Sequence, residues 1–209
     1  MFSLQRILGR PAEFFGLLEK SAALGAQSVK ELKEALTPPG QGFAMTALIA
    51  ARRQDKAVIA RLEEMLSTVF ITPIEREDLE AVGNQLYRLP KCVEKFAERY
   101  NITHGRLADV DFSVVLTLLE SATRIIGEMV QSLSAGSDLA GIKSMDARLS
   151  QIESDAGSVI LDCYRRVYEG DGDPLKGIIV RDLLGILGDC IDVCRDIGRT
   201  IALVIYKNS

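Results

Sequence analysis

The chain has 209 residues, with 25 lysines and arginines against 29 aspartates and glutamates, so its formal net charge is −4. This balance, without a basic stripe carrying interleaved aromatic residues, argues against nucleic-acid binding. The most apolar stretch, 112–119, is far shorter than the roughly 20 residues that a membrane-spanning helix needs. The four cysteines form no C-x-x-C pattern and no secretory signal precedes them. We therefore expect a cytoplasmic protein with reduced thiols.

Six amphipathic segments follow one another along the chain. In each of them apolar residues recur at alternating steps of three and four, which places these residues on one face of an α-helix. The faces span residues 18–36, 48–69, 79–96, 115–129, 149–163 and 179–197. The pattern predicts an all-α fold without a β-strand.

Four short breaks rich in glycine, proline or polar residues separate these helices, and they predict antiparallel neighbours. They lie at residues 38–42, 101–105, 135–137 and 170–172. Within the third face, Pro90 is expected to kink the helix or to remove one hydrogen bond of its ladder.

The third helix has a sharp predicted start, with Thr72 as its N-cap, Pro73 in the first helical position and acidic residues in the first turn. Asp173 and Pro174 repeat this arrangement before the last helix. The repeat suggests duplication of a three-helix unit. We therefore predict one helical domain over 1–209, built from halves of about 1–104 and 105–209.

Residues 70–78, with the sequence FITPIERED, resemble the hinge of PhoU-like phosphate transport regulators. The resemblance is to the branch that accompanies Pit-type phosphate transporters, and in helix order it covers nearly the whole chain. It implies a PhoU-like six-helix bundle made of two three-helix repeats. It also implies a non-enzymatic, cytoplasmic accessory protein, peripheral to the inner membrane through its partner, a Pit-type phosphate transporter.

One carboxylate interrupts an apolar face. Asp55 lies between Ala51 and Val58 on the second face, where an ionised side chain is costly unless it has a partner. We expect Asp55 either to pair with an arginine or lysine, or to lie at a solvated end of the face. A metal or ligand role is the alternative.

A denser acidic set lies in the second half. Three aspartates stack along the last helix, and a glutamate of the preceding helix can face them: Asp189, Asp192, Asp196 and Glu153. Clustered carboxylates suit hard cations such as Mg²⁺, Mn²⁺ or iron. The alternative is a solvated acidic face that Arg195 and Arg199 neutralise.

The resemblance bears on these acids residue by residue. PhoU-like proteins carry E-x-x-x-D motifs on the second and third helices of each half, and some members bind multinuclear metal clusters there. In the first half only Asp55 matches, while Arg88 and Lys91 fall where the family has acids. This implies that the first half has lost its metal site, and it makes the two cations candidates for partner binding.

In the second half Glu153 and Asp192 match the family motif, and Asp196 follows one turn later. Gly157 and Gly188 replace the other motif acids. The resemblance therefore implies no certain cofactor, and at most weak binding of iron or another divalent cation in this half.

Other constellations are weaker. His104 is the only histidine and lies in a predicted loop without a nucleophile elbow, and the chain has no P-loop, so we do not expect an enzyme. Cys190 and Cys194 could meet a soft metal but fit the apolar face better. Two other functions stay open: a helical scaffold or oligomeric interaction protein unrelated to phosphate, and a carboxylate-bridged metal-binding protein. We also expect a homo-oligomer, because a mildly hydrophobic bundle exposes apolar residues.

Overall fold

The computed structural model describes residues 11–135, 139–169 and 173–208. Its helices are α1 (Pro11–Ala35), α2 (Thr46–Thr68), α3 (Arg76–Thr103), α4 (Ser113–Ala135), α5 (Leu139–Tyr168) and α6 (Pro174–Lys207), with a 3₁₀ turn at His104–Arg106. The described ranges contain no strand, so the all-α prediction is confirmed. None of these helices is both long and apolar enough to cross a bilayer, within the part of the chain that the structure describes.

The predicted apolar faces form the core. Every predicted position on the faces of α1 and α3 is buried, and one continuous hydrophobic cluster draws residues from all six helices. Helices α1 to α3 pack against one another and α4 to α6 do the same, while α1 packs on α4 and α3 on α6. The α3–α6 contact is therefore one of the two places where three-helix groups meet, and the candidate site lies there.

Helix α3 runs without interruption through Pro90. Proline has no N–H to donate to the carbonyl four residues earlier, so the ladder of α3 lacks one bond at this point. Pro90 is among the buried residues of α3.

The predicted start of α3 at Thr72 and Pro73 is wrong, because the helix begins at Arg76 with Glu75 as its N-cap. The guanidinium of Arg76 reaches back to the end of α2, where it donates to the carbonyl oxygens of Leu66, Val69 and Phe70. These carbonyls would otherwise lack partners. Residues 70–75 thus form the α2–α3 connection. Arg76 caps the C-terminal end of α2, and α3 does not begin at Thr72.

The predicted start of the last helix is confirmed. Asp173 is the N-cap of α6, Pro174 follows in the first turn, and the Asp173 Oδ1 accepts a hydrogen bond from the Leu175 N–H at 3.0 Å. The side chain of Arg106, just before α4, also pairs with Asp173 Oδ2 at 2.6 Å. Asp173 therefore both caps α6 and ties its start to the 3₁₀ turn that precedes α4.

The break predicted at 101–105 comes later, because α3 continues to Thr103. The last turn of the helix supports the α1–α2 connection: the Tyr100 hydroxyl accepts from the Gly40 N–H at 2.8 Å, and the Asn101 amide exchanges two 2.9 Å bonds with the Phe43 backbone. These bonds satisfy backbone N–H and C=O groups of the α1–α2 connection, and they require Tyr100 and Asn101 to remain in the helix. The connection at 38–42 is as predicted; the breaks at 136–137 and 170–172 lie outside the described residues, and Ala135 is the last residue of α4.

Candidate functional site

Two adjacent surface grooves follow the contact of α3 with α6. The first, which we call the basic groove because four of its residues are cations and two are acids, has a volume of about 430 Å³ and is lined by Arg52, Arg88, Lys91, Cys92, Glu94, Lys95, Glu98 and Val193. The second, the acidic groove, measures about 460 Å³ and is lined by Arg88, Glu153, Asp189, Asp192, Val193, Arg195, Asp196 and Arg199. Arg88 and Val193 border both grooves, so cations of the first half stand directly beside acids of the second.

The wall of the basic groove contains an ion pair in which the acid is buried and the arginine is partly exposed. Arg52 Nη1 donates to Glu94 Oε2 at 2.6 Å, and Glu94 is only 7% exposed. This hydrogen bond is the main cause that raises the pKa of Arg52. The pair joins α2 to α3, so it fixes the wall and leaves little charge free for a ligand.

Two other cations of α3 reach across to α6. Arg88 Nη1 lies 2.9 Å from Asp196 Oδ2, and Lys95 Nζ lies 3.6 Å from Asp189 Oδ2. The bridged side chains are about half exposed, so each pair contributes modestly to stability. Lys91, between them on α3, is exposed and has no ion pair within the described residues. It is therefore the cation of this groove that remains available to a partner.

Arg195 neutralises the interior side of the acidic groove. Arg195 is 8% exposed, and its side chain pairs with both oxygens of the Asp146 carboxylate on α5. Its Nε lies 3.5 Å from Glu153 Oε2. The guanidinium thus compensates two carboxylates that water reaches only in part.

Asp192 differs from the other acids of the groove, because it has no ion pair within the described ranges. Its pKa is raised, chiefly by partial burial and then by the negative charges of Glu153, Asp189 and Asp196. The predicted acids thus do converge in one groove, with Asp192 as the member that no cation compensates.

Asp55 lies apart from this groove, buried in α2. It has no exposed surface, and neither carboxylate oxygen has a hydrogen-bond partner among the described side chains and backbone groups. Burial raises the pKa of Asp55 to about 6, while the nearby Ser21 hydroxyl opposes this shift without forming a hydrogen bond of full geometry. Neither the expected cation partner nor a solvated position is present in the described part of the chain. Asp55 does not line the basic groove. The residue of α2 that lines this groove is Arg52, one turn earlier.

Sequence reasoning missed three members of the site. Arg52 and Glu94 pair across 42 residues, and Cys92 touches the thiol of Cys190 across 98 residues. No local pattern marks these pairs; the only signal was the occurrence of a glutamate, Glu94, immediately after an apolar position on α3. Pairing between distant helices is decided by packing, which a single sequence does not display.

The acidic groove is a poor fit for a tightly held metal cluster. Of its four acids, Asp189, Asp196 and Glu153 already face a lysine or an arginine. In the described ranges no three histidine, cysteine, aspartate or glutamate side chains are grouped so as to hold an ion. A cation would have to displace several charges that the protein itself supplies.

Comparisons with known proteins support the fold. No protein-family model matches the chain. The chain is 26% identical to the UPF0111 protein YkaA of Bacillus subtilis over 170 residues. This aligned region covers 80% of each sequence.

Two solved structures from Shewanella oneidensis MR-1 share the architecture. A PhoU-like protein superposes with a TM-score of 0.71 at 14% identity, over 95% of this chain and 98% of that one. A second, described as a PhoU-like phosphate regulatory protein, gives a TM-score of 0.70 at 15% identity, with the same coverage. The predicted PhoU-like six-helix fold is therefore confirmed.

Proposed function

We propose that this chain is a cytoplasmic, non-enzymatic regulator of phosphate transport that docks on a Pit-type phosphate transporter. The observation that carries the proposal is the fold, which matches PhoU-like phosphate regulatory structures over 95% of the chain. The resemblance of residues 70–78 to the hinge of the Pit accessory branch adds the choice of transporter. Regulation then follows from differential binding, because a partner shifts a transporter's conformations only by binding one of them more tightly.

The docking face that we propose is the basic groove, with Lys91 in its lining and Arg88 at its border with the acidic groove. Lys91 is exposed and has no ion pair within the described residues, so a partner carboxylate meets no internal competitor there. Arg88 is already engaged with Asp196 at 2.9 Å, and a partner must share it. An acidic cytoplasmic segment of the transporter is the chemistry that complements this surface.

Reversing the charge of Lys91 tests this face. The Lys91→Glu variant is expected to bind the Pit-type carrier of the same genome, held in lipid nanodiscs, about tenfold more weakly than the natural protein, mainly through slower association. Surface plasmon resonance at two salt concentrations measures both rates. Arg88→Gln is expected to weaken binding less, because Asp196 already compensates Arg88.

Lys20→Glu is the matched control, since Lys20 is an exposed lysine of α1 that borders neither groove. It should bind like the natural protein. Equal loss of binding in Lys20→Glu and Lys91→Glu would place the contact elsewhere. Failure of the unmodified protein to bind the carrier, together with recovery of an unrelated partner from cells, would favour the scaffold function instead.

Weak binding of a divalent cation in the acidic groove is part of the same proposal. Asp192 supplies an uncompensated carboxylate and Glu153 lies beside it, but the neighbouring arginines oppose a second positive charge. We expect titration calorimetry with Mn²⁺ or Fe²⁺ to give a dissociation constant in the millimolar range, and elemental analysis of the purified protein to find less than one equivalent of metal. Asp192→Asn should abolish even this binding, whereas stoichiometric metal in both halves would contradict the expectation.

Self-association is the remaining partner proposal. Large apolar side chains are exposed at several points, with Phe70 81%, Ile102 79% and Leu203 67% exposed. Burying such residues against a second copy is favourable in water. Light scattering at micromolar concentration reports the mass directly, and a monomer at all concentrations would refute this part.

A further inference from the structure

Two cysteines from different halves of the chain meet where α3 packs against α6. The Sγ atoms of Cys92 and Cys190 are 2.8 Å apart, although 98 residues separate them in sequence. Cys92 Sγ also lies 3.6 Å from the carbonyl oxygen of Ile186, one turn before Cys190. A disulfide bond measures about 2.05 Å, so a displacement of less than about 1 Å separates these thiols from a bonded pair.

The two thiols differ in a way that suits stepwise oxidation. Cys92 is partly exposed and borders the basic groove, whereas Cys190 is buried behind it. The Cys190 thiol donates a hydrogen bond to the Cys92 sulfur and is the main cause that lowers the pKa of Cys92; Lys95 and Arg88 lower it further. Burial raises the pKa of Cys190. Cys92 is thus the accessible nucleophile, and Cys190 keeps its proton until an acceptor appears.

We propose that Cys92 and Cys190 form a reversible intramolecular disulfide, which ties α3 to α6 when the protein meets a hydroperoxide. The Cys92 thiolate attacks one oxygen of hydrogen peroxide, the O–O bond breaks, and the departing hydroxide takes a proton to leave as water. Cys190 then attacks the sulfur of the resulting sulfenic acid, and the S–O bond breaks. The hydroxide released from the sulfenic acid takes the proton of the Cys190 thiol and leaves as a second water.

The electrons and atoms of this reaction balance. Two thiols lose two electrons and two protons in total, and one peroxide becomes two waters. A small dithiol reverses the step by exchange through a mixed disulfide at Cys92, the sulfur that the groove exposes. The cross-link joins the first three helices to the last three at the wall of the basic groove, and it does so whether or not that groove binds a transporter.

The other two cysteines provide internal comparisons. Cys194 is fully buried one turn after Cys190 and lies close enough to Cys92 for electrostatic interaction. Cys163 is half-buried on α5 and has no thiol neighbour within the described residues. A specific Cys92–Cys190 reaction therefore leaves both of them reduced.

The test uses the full chain, reduced, desalted and treated with a small excess of hydrogen peroxide. After denaturation and alkylation with iodoacetamide, intact mass should show two alkylated cysteines where the reduced protein has four. Peptide mapping should place the link between Cys92 and Cys190, and dithiothreitol should restore all four. The melting temperature of the oxidised protein should rise by on the order of 5–10 °C.

Single substitutions separate the two roles. Cys190→Ser should leave Cys92 as a sulfenic acid that dimedone labels, whereas Cys92→Ser should give neither label nor link. Cys163→Ser is the matched control and should cross-link normally, with circular dichroism showing that each variant is folded. Any one of four results would overturn the proposal: a link from Cys92 to Cys194, a disulfide between two molecules, oxidation of Cys92 to a sulfinic acid without a link, or four free thiols after peroxide.

Discussion

Replacing Arg195 by methionine is expected to lower the free energy of unfolding by roughly 2–4 kcal/mol. Arg195 is 8% exposed, and its guanidinium compensates Asp146 and Glu153 on α5. Without it the two carboxylates, which are 30% and 37% exposed, lose the cation that they share, and Glu153 remains close to Asp192. Their partial exposure to water keeps the loss below that of a fully buried pair. Urea denaturation at pH 7.5 measures the difference.

Arg199→Met is the control for this variant. Arg199 borders the same groove, but it is exposed and has no ion pair in the part of the chain that the structure describes. Its loss should change stability by less than about 0.5 kcal/mol. If millimolar Mn²⁺ raises the melting temperature of Arg195→Met by clearly more than it raises that of the natural protein, the arginine is what weakens cation binding in the groove. Equal stability of Arg195→Met and Arg199→Met would contradict the assigned role of Arg195.

The Asp55→Asn variant is expected to be more stable than the natural protein at pH 8, by on the order of 2–3 kcal/mol. The folded protein holds the Asp55 proton up to a pKa of about 6, while the ordinary value is 3.8. The native state thus binds this proton more tightly than the unfolded state does. Its stabilising contribution is complete below about pH 4 and is lost as the pH rises through about 6.

Asparagine has no such loss, so the stability difference between Asp55→Asn and the natural protein should grow from near zero at pH 4 to its full size by pH 7. Guanidinium denaturation at half-unit pH steps measures this difference. Glu63→Gln, at an exposed carboxylate of the same helix, is the control variant measured alongside. A difference that stays constant from pH 4 to pH 8, or an asparagine variant that is less stable at pH 8, would rule out a buried ionising Asp55.

Much of the site was visible in the sequence as a set of residues, but not as an arrangement. The spacing of Asp189, Asp192 and Asp196 predicted that they share a face with access to Glu153, and all four border the acidic groove. That Arg88 closes the same groove from α3, at 2.9 Å from Asp196, was not predicted. The family alignment treated Arg88 as part of the first half's motif, separate from the acids of the second half, whereas the fold makes Arg88 a neighbour of those acids.

The start of α3 shows where local signals mislead. Thr72, Pro73 and the following acids satisfy every sequence rule for a helix N-terminus, yet the helix begins at Arg76. The arginine has a competing use, because its guanidinium satisfies the carbonyls at the end of α2. At the start of α6, no side chain among the described residues reaches back to the preceding helix in this way. There the cap residue followed by proline, Asp173 and Pro174, gives the correct helix start.

The sequence by itself determined the helices, their buried faces and the cap at Asp173, because these depend on residues within a few turns of one another. Tertiary structure alone decided that Asp55 is sealed away from any cation among the described residues, that Arg195 stands between two acids, and that Cys92 meets Cys190. These contacts depend on the register at which α3, α5 and α6 pack. Helix register follows from the fit of whole surfaces, and no local spacing encodes it.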